Sequence, residues 1–266
     1  MCRFLAYSGP STFMQEFLLD SSYSLVNQSK HARMRFEPVN GDGFGVGWYP
    51  LHDDPIPGTF VSIEPAWSNR NLREIAAKIP TRHFFAHIRD ATIGMPVSQA
   101  NCHPFQSGSY LWMHNGHLDE FDKCRRLLMD SLSDTSFNMI KGNTDTEHLF
   151  ALFMDEVEHQ QVSDSGQLLE ALSRTIVRIN NIRKESGCES EAHMNFALSN
   201  GICSLFTRLS MNSEMAPPTL HYQQKHEALI VASEPLSDVG NWQQINNGEL
   251  LIQETGKPMR IEALKI

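Results

Sequence analysis

The chain has little that would tie it to a membrane. No hydrophobic run approaches the roughly 18 residues of a membrane-spanning helix. The start, Met1-Cys2-Arg3-Phe4-Leu5-Ala6-Tyr7-Ser8-Gly9-Pro10, is broken too soon to read as a signal peptide. Excess positive charge is also absent. Lys plus Arg number 22 against 31 for Asp plus Glu, a formal charge of −9. An acidic chain without a long basic run is not expected to bind nucleic acid or anionic lipid. Cysteines are few and odd in number: Cys2, Cys102, Cys124, Cys188 and Cys203. They form no C-x-x-C pair or zinc spacing, which argues against a disulfide framework and a structural zinc site. The default compartment is therefore the cytosol.

Repeats, low-complexity tracts and domain-separating linkers are missing as well. At about 150 residues per domain, 266 residues make one large or two small domains. The hydrophobic fraction, 41%, is enough for a sizeable core. β-Branched and aromatic content predicts strands at 2–8, 44–49, 59–64, 83–89, 110–114, 194–199, 202–208, 228–232, 249–253 and 259–263. Apolar periodicity predicts helices at 70–79, at 119–130 with Asp119 as N-cap, from Thr144 onward, and at about 166–183. Thr144-x-x-Glu147 reads as a capping box for the third. Strands, then helices, then strands predict an α+β fold, with helices packed on two mostly antiparallel sheets rather than a doubly wound array.

Cys2 is the residue with the most chemistry. If Met1 is removed, Cys2 carries a thiol and a free α-amine together. The amine titrates near ~7.7–8.0 and can act as a base, while the thiol attacks as thiolate. The alternative is a small buried residue opening an edge strand, the commoner use of cysteine. In Ala86-His87-Ile88-Arg89, alternation puts His87 and Arg89 on one face of a strand. A guanidinium at a strand end suits bidentate binding of a carboxylate, though a lone Arg more often pairs with a surface acid. Asn115-Gly116, after His114, reads as a turn or as an oxyanion hole made of an amide donor and an open backbone N–H. Asp145, just after the Thr144 cap, complements the helix dipole or receives a substrate ammonium.

Asn40-Gly41-Asp42-Gly43-Phe44-Gly45-Val46-Gly47-Trp48 has glycine at every second position. That period clears one face of a strand for close packing, expected near the N-terminal strand, with Asn40 and Asp42 as pocket lining. Twelve histidines invite a metal reading. However, His83 and His87 lie in a strand pattern, and His114 and His117 straddle the expected turn. Without further ligands at zinc spacing, no metal or other cofactor is expected. Asn101-Cys102-His103-Pro104-Phe105 is expected to be a loop bordering the pocket.

These motifs together resemble the class II glutamine amidotransferases, the N-terminal-nucleophile hydrolases that begin with cysteine. The matching pieces occur in family order and span almost the whole chain. They run from Cys2-Arg3-Phe4-Leu5 through the glycine segment, Ala86–Thr92, Asn101–Phe105, His114-Asn115-Gly116 and Thr144–Glu147. They end with Asn195–Gly201 and Val231-Ala232-Ser233-Glu234-Pro235-Leu236. The stand-alone branch is the most similar, including the amidotransferase-like subunit of the fungal glutathione-degradation complex and the γ-glutamyl amidohydrolase of ergothioneine biosynthesis. The resemblance implies a four-layer α-β-β-α sandwich over 1–266 as a single domain, with the mature chain starting at Cys2. It implies Cys2 as nucleophile, Asn115 and Gly116 as oxyanion hole, and Arg89 and Asp145 as clamps for the α-carboxylate and α-amine of a γ-glutamyl substrate. It places His114 and Thr92 in the same substrate pocket. Asp90 departs from the pattern, since many glutamine-using relatives carry an apolar or aromatic residue there. The expected activity is hydrolysis of a γ-glutamyl amide, with a γ-glutamyl peptide or conjugate ranked slightly ahead of glutamine. The family sandwich would use the whole chain, so ammonia transfer would need a separate synthase or peptidase partner chain. The alternative is a catalytically silent partner subunit that binds γ-glutamyl ligands.

Overall fold

The computed structural model describes residues 2–34, 39–91, 95–160, 162 and 164–266. Among them, fourteen strands form two sheets. Strands β1 (Arg3–Phe13), β2 (Phe44–Trp48), β3 (Gly58–Ser62) and β4 (Pro80–Ile88) come from the first third of the chain. Strands β5 (Phe105–Ser107), β6 (Tyr110–Leu118), β7 (Ala192–Ser199), β8 (Cys203–Arg208) and β9 (Ser210–Met211) follow. The last are β10 (His221–Lys225), β11 (Ala228–Ala232), β12 (Gln243–Gln244), β13 (Glu249–Glu254) and β14 (Arg260–Ala263). The first sheet runs β12-β10-β11-β1-β4-β2-β3; the second runs β14-β13-β8-β7-β6-β5, with β9 on β7. Every pairing between these strands is antiparallel.

Side-chain alternation turns the two sheets into four layers. Phe4 and Ala6 of β1, Phe85 of β4 and Val231 of β11 face inward, against Leu111, Met113, Ala197, Phe206 and Leu251 of the second sheet. Their neighbours Leu5, Tyr7, Phe84, Ala86 and Ala232 face outward, covered by a π-helical turn at 16–20, α1 (Leu25–Gln28) and α2 (Arg70–Lys78). On the far side, Trp112, Met194, Phe196, Leu198 and Leu205 pack under α3 (Phe121–Asp130), α5 (Asp145–Gln160) and α6 (Ser165–Glu185). A short α4 (Asp134–Met139) links them. A period-two strand has two faces to bury, and here each face of both sheets is apolar, which requires a layer on either side. The expected four-layer sandwich of antiparallel sheets is the observed fold.

The dry middle layer is bounded by polar ties between the sheets. His83 Nε2 of β4 lies 2.8 Å from Ser199 Oγ and 3.2 Å from Ser204 Oγ across the gap. Tyr49 donates its hydroxyl to Ser109 O at 2.7 Å and Ser199 O at 3.1 Å. At the opposite end, the Phe4 amide donates to Ser233 Oγ at 3.0 Å, and Asn115 Nδ2 of β6 approaches the same oxygen at 3.5 Å.

All ten expected strands and four expected helices are present, with local corrections. Strand β6 does not end at His114. It runs to Leu118, with Asn115 opposite Asn195 and Gly116 opposite Met194, so Asn115-Gly116 is mid-strand and not a turn. Tertiary pairing with β7 overrides the local turn signal of Asn-Gly. A Cβ at Gly116 would collide with the His193 carbonyl oxygen, so the glycine serves close approach. The N-cap of α3 is Glu120, in left-handed backbone with φ 57°, and not Asp119. The Asp119 carboxylate instead meets His117 Nε2 at 3.1 Å. The capping box is half-formed. Thr144 Oγ1 accepts from the Glu147 amide at 3.3 Å, while the Glu147 carboxylate accepts from the amides of Lys141 and Gly142. Strand β2 lies beside β4 and β3, not β1. Its bare face is met by the 103–104 backbone: a Cβ at Gly45 would strike the His103 carbonyl oxygen, and one at Gly47 would crowd Pro104.

Candidate active site

Pairing of β1 with β4 sets Arg3 opposite Ile88, so one step beyond it Cys2 and Arg89 fall opposite each other at the sheet end. By alternation both sit on the inward face, with Phe4 and His87. They line one cavity of about 350 Å³ with Asp90, His103, His114, Gly116, His117 and Asp145.

Cys2 is half-buried. Its Sγ contacts the Asp90 backbone, 3.5 Å from the amide and 3.6 Å from the carbonyl oxygen. Burial pushes the Cys2 thiol above the usual cysteine range, while the Asp90 amide and the Arg89 charge act the other way. The backbone behind it is fixed by a buried ion pair. Arg3 Nε meets Glu234 Oε1 at 2.9 Å, and Arg3 Nη1 donates to the Cys2 carbonyl at 2.9 Å. Glu234 also accepts from the amides of Arg33 and Met34. The Val231–Leu236 motif thus anchors the first residues of β1.

Arg89 is 4% exposed, and its Nη1 is buried with no hydrogen-bond partner among the described residues. Its amide donates to Gly43 O at 2.8 Å, and its carbonyl accepts from the Asp42 amide at 3.2 Å. Asp42 Oδ2 accepts from the Ala91 amide at 2.9 Å. The glycine segment therefore braces the strand end that carries Arg89. A buried cation without an anion is costly, so a site built around one favours an anionic ligand.

The facing wall is saturated. His114 Nδ1 lies 3.0 Å from Thr146 Oγ1 and its Nε2 2.8 Å from the His193 carbonyl. The carbonyl can only accept, so Nε2 carries the proton and Nδ1 accepts from the Thr146 hydroxyl. Burial lowers the His114 pKa and favours this neutral form. Asp145 Oδ2 accepts from the Leu118 amide at 2.8 Å, and Oδ1 from the Thr146 amide at 2.7 Å. It locks the end of β6 to the first turn of α5. Each oxygen keeps a lone pair for a ligand.

Asn115 is fully buried and is not among the residues that line the cavity; its Oδ1 has no partner among the described residues. Thr92 lies outside the described residues. His103 borders the cavity as expected, its Nδ1 3.5 Å from the His114 amide and its ring 4.0 Å from that of His87. Desolvation holds His103 well below the ordinary histidine range and His87 down at about 3. Sequence reasoning missed His117 and Asp119 as lining residues. The signal was available in strand parity: once β6 runs through 115–118, His117 shares the face of Asn115.

The cysteine and the arginine, whose Nη1 has no partner among the described residues, share one strand end of a two-sheet sandwich, and similarity to known proteins marks the chain as an enzyme of the N-terminal-nucleophile hydrolase type. The chain belongs to the family "Glutamine amidotransferases class-II", whose model matches residues 1–265. It is 34% identical to "Probable glutamine amidotransferase DUG3" of Saccharomyces cerevisiae, over 94% of this chain and 81% of the relative. It is 26% identical to the γ-glutamyl-hercynylcysteine sulfoxide hydrolase of Mycobacterium tuberculosis, over 99% of this chain and 97% of the relative. Among solved structures, a glutamine aminotransferase class-II domain protein from Silicibacter pomeroyi superposes with a TM-score of 0.73 at 26% identity, covering 99% of this chain and 100% of that one.

Proposed function

We propose that the protein hydrolyses a γ-glutamyl amide bond with Cys2 as nucleophile. The observation that carries this reading is the Cys2 thiol in one cavity with the buried Arg89, whose Nη1 has no partner among the described residues. Removal of Met1 frees the Cys2 α-amine. Because burial disfavours a standing thiolate, the amine takes the thiol proton as sulfur attacks the amide carbon. Arg89 receives the α-carboxylate and Asp145 the α-ammonium, which fixes the γ-carbon over sulfur. The Asn115 amide and the Gly116 N–H stabilise the oxyanion; His114 shapes the pocket, and Thr92 is assigned to substrate binding from the sequence resemblance alone. The protonated amine returns its proton to the leaving nitrogen, ammonia or an amine departs, and water cleaves the γ-glutamyl thioester to glutamate.

The clamp reads only the amino-acid end of the substrate. We rank a γ-glutamyl peptide or conjugate slightly ahead of glutamine, supported by the hydrolase relative aligned over 97% of its length. A separate synthase or peptidase chain would be the acceptor partner in a transfer reaction, and the cytosol is the proposed location. No helix among the described residues is long and apolar enough to cross a membrane. The test is glutamate release from glutamine and from γ-glutamyl peptides, with intact mass before and after a glutamine-like electrophile. Loss of Met1 and one adduct on Cys2 are expected. Retained Met1 with no adduct and no release would leave the catalytically silent ligand-binding subunit.

A further inference from the structure

A second cluster stands at the rim of the cavity. Pairing of β6 with β7 sets His117 directly opposite His193, so both imidazoles leave the same face of the sheet. Their ring centroids are 5.1 Å apart. Glu191, just before β7, reaches both: Oε1 is 3.5 Å from His117 Nε2, and Oε2 is 3.6 Å from His193 Nε2. Asp119 Oδ1 lies 3.1 Å from His117 Nε2. One donor atom from each of His117, Glu191 and His193 falls within 4.8 Å of the others. Sequence spacing hid this group, because its donors come from two strand ends far apart in the chain.

We propose that His117, Glu191 and His193 form a binding site for a divalent cation of the zinc class, with a fourth position left to solvent. Donors at about 2.05 Å from a tetrahedral ion lie about 3.3 Å apart. The nitrogen–oxygen separations to the Glu191 carboxylate, 3.5 Å from His117 to Oε1 and 3.6 Å from His193 to Oε2, are close to that value. Two imidazoles and a carboxylate suit zinc, cobalt or nickel, whereas magnesium prefers an all-oxygen shell. An outer contact orients the shared carboxylate: the Ser213 hydroxyl donates to Glu191 Oε2 at 2.6 Å. His117 and Asp119 also line the cavity that holds Cys2 and Asp145, so the ion would sit at its entrance. The site is independent of the thiol chemistry.

The test uses the full chain carrying Cys2→Ala, so that the nucleophile cannot compete for metal. Titration with Co²⁺ should give visible absorption of a tetrahedral nitrogen–oxygen site that saturates at one equivalent. Zn²⁺ should displace it and excess Mg²⁺ should not. His117→Ala and His193→Ala should each weaken retention at least tenfold. His117 is about 30% exposed, so its substitution is expected to leave the fold intact and decides the matter should His193→Ala fail to fold. Absence of saturable Co²⁺ absorption, or retention unchanged in His117→Ala, would overturn the site and leave a polar cluster of imidazoles and carboxylates.

Discussion

The two walls of the cavity are built on opposite terms. On the first sheet, the Cys2 sulfur makes long contacts to the Asp90 backbone, and the Arg89 guanidinium keeps a buried nitrogen with no partner among the described residues. On the second, both ring nitrogens of His114 and both oxygens of Asp145 are already bonded within the protein. One wall leaves its groups open to a ligand; on the other, the groups that would meet a ligand are already fixed by the fold. Altering the first wall should therefore cost affinity and reactivity with little loss of stability, whereas altering the second should cost stability as well.

The largest effect should follow Cys2→Ala: amide hydrolysis falls by roughly 10³-fold or more while the circular dichroism spectrum is retained. A loss under tenfold would remove the thiol from the chemistry. Next, Arg89→Leu deletes the carboxylate receptor. A charge-assisted bond is worth about 1.5–3 kcal/mol, so KM should rise about 10–100-fold, with melting temperature unchanged or higher. An unchanged KM would break the comparison at its first wall.

Acid should act on the inter-sheet histidines instead. Burial holds His83 at about 4 and His87 at about 3, below the ordinary 6.5. The unfolded chain then takes up the proton first, so stability is intact above pH 6.5 and is lost as pH falls below it. Each group should cost about 2 kcal/mol between pH 6.5 and 5. Denaturant midpoints at the two pH values measure it. The smallest effect is expected for Thr146→Val, which leaves His114 Nδ1 unsatisfied and costs about 1 kcal/mol, read as a drop in melting temperature.

Much of this arrangement was legible in the chain. Period-two alternation put His87 and Arg89 on one face with Ile88 on the other, and they lie so: Ile88 is in the outer core, while Arg89 lines the cavity. Helical spacing of Leu168, Leu172, Ile176 and Ile179 marked the buried stripe of α6. What escaped depended on long-range pairing. Asn115-Gly116 carries a local turn signal that only β7 cancels. Strand β10, His221–Lys225, is polar near the sheet edge and has no apolar alternation to announce it. The cleared face of β2 was visible in its glycines, but its partner, the His103-Pro104 backbone, was not.

The hydroxyl and imidazole ties at either end of the dry layer bear on selectivity. With His83 held to Ser199 at one end and Ser233 bridging Phe4 and Asn115 at the other, the sheets cannot slide or part to admit a bulkier guest. In the proposed reaction, discrimination among leaving groups then falls to the lining residues Asp90, Met95 and His117 rather than to any yielding of the sandwich itself.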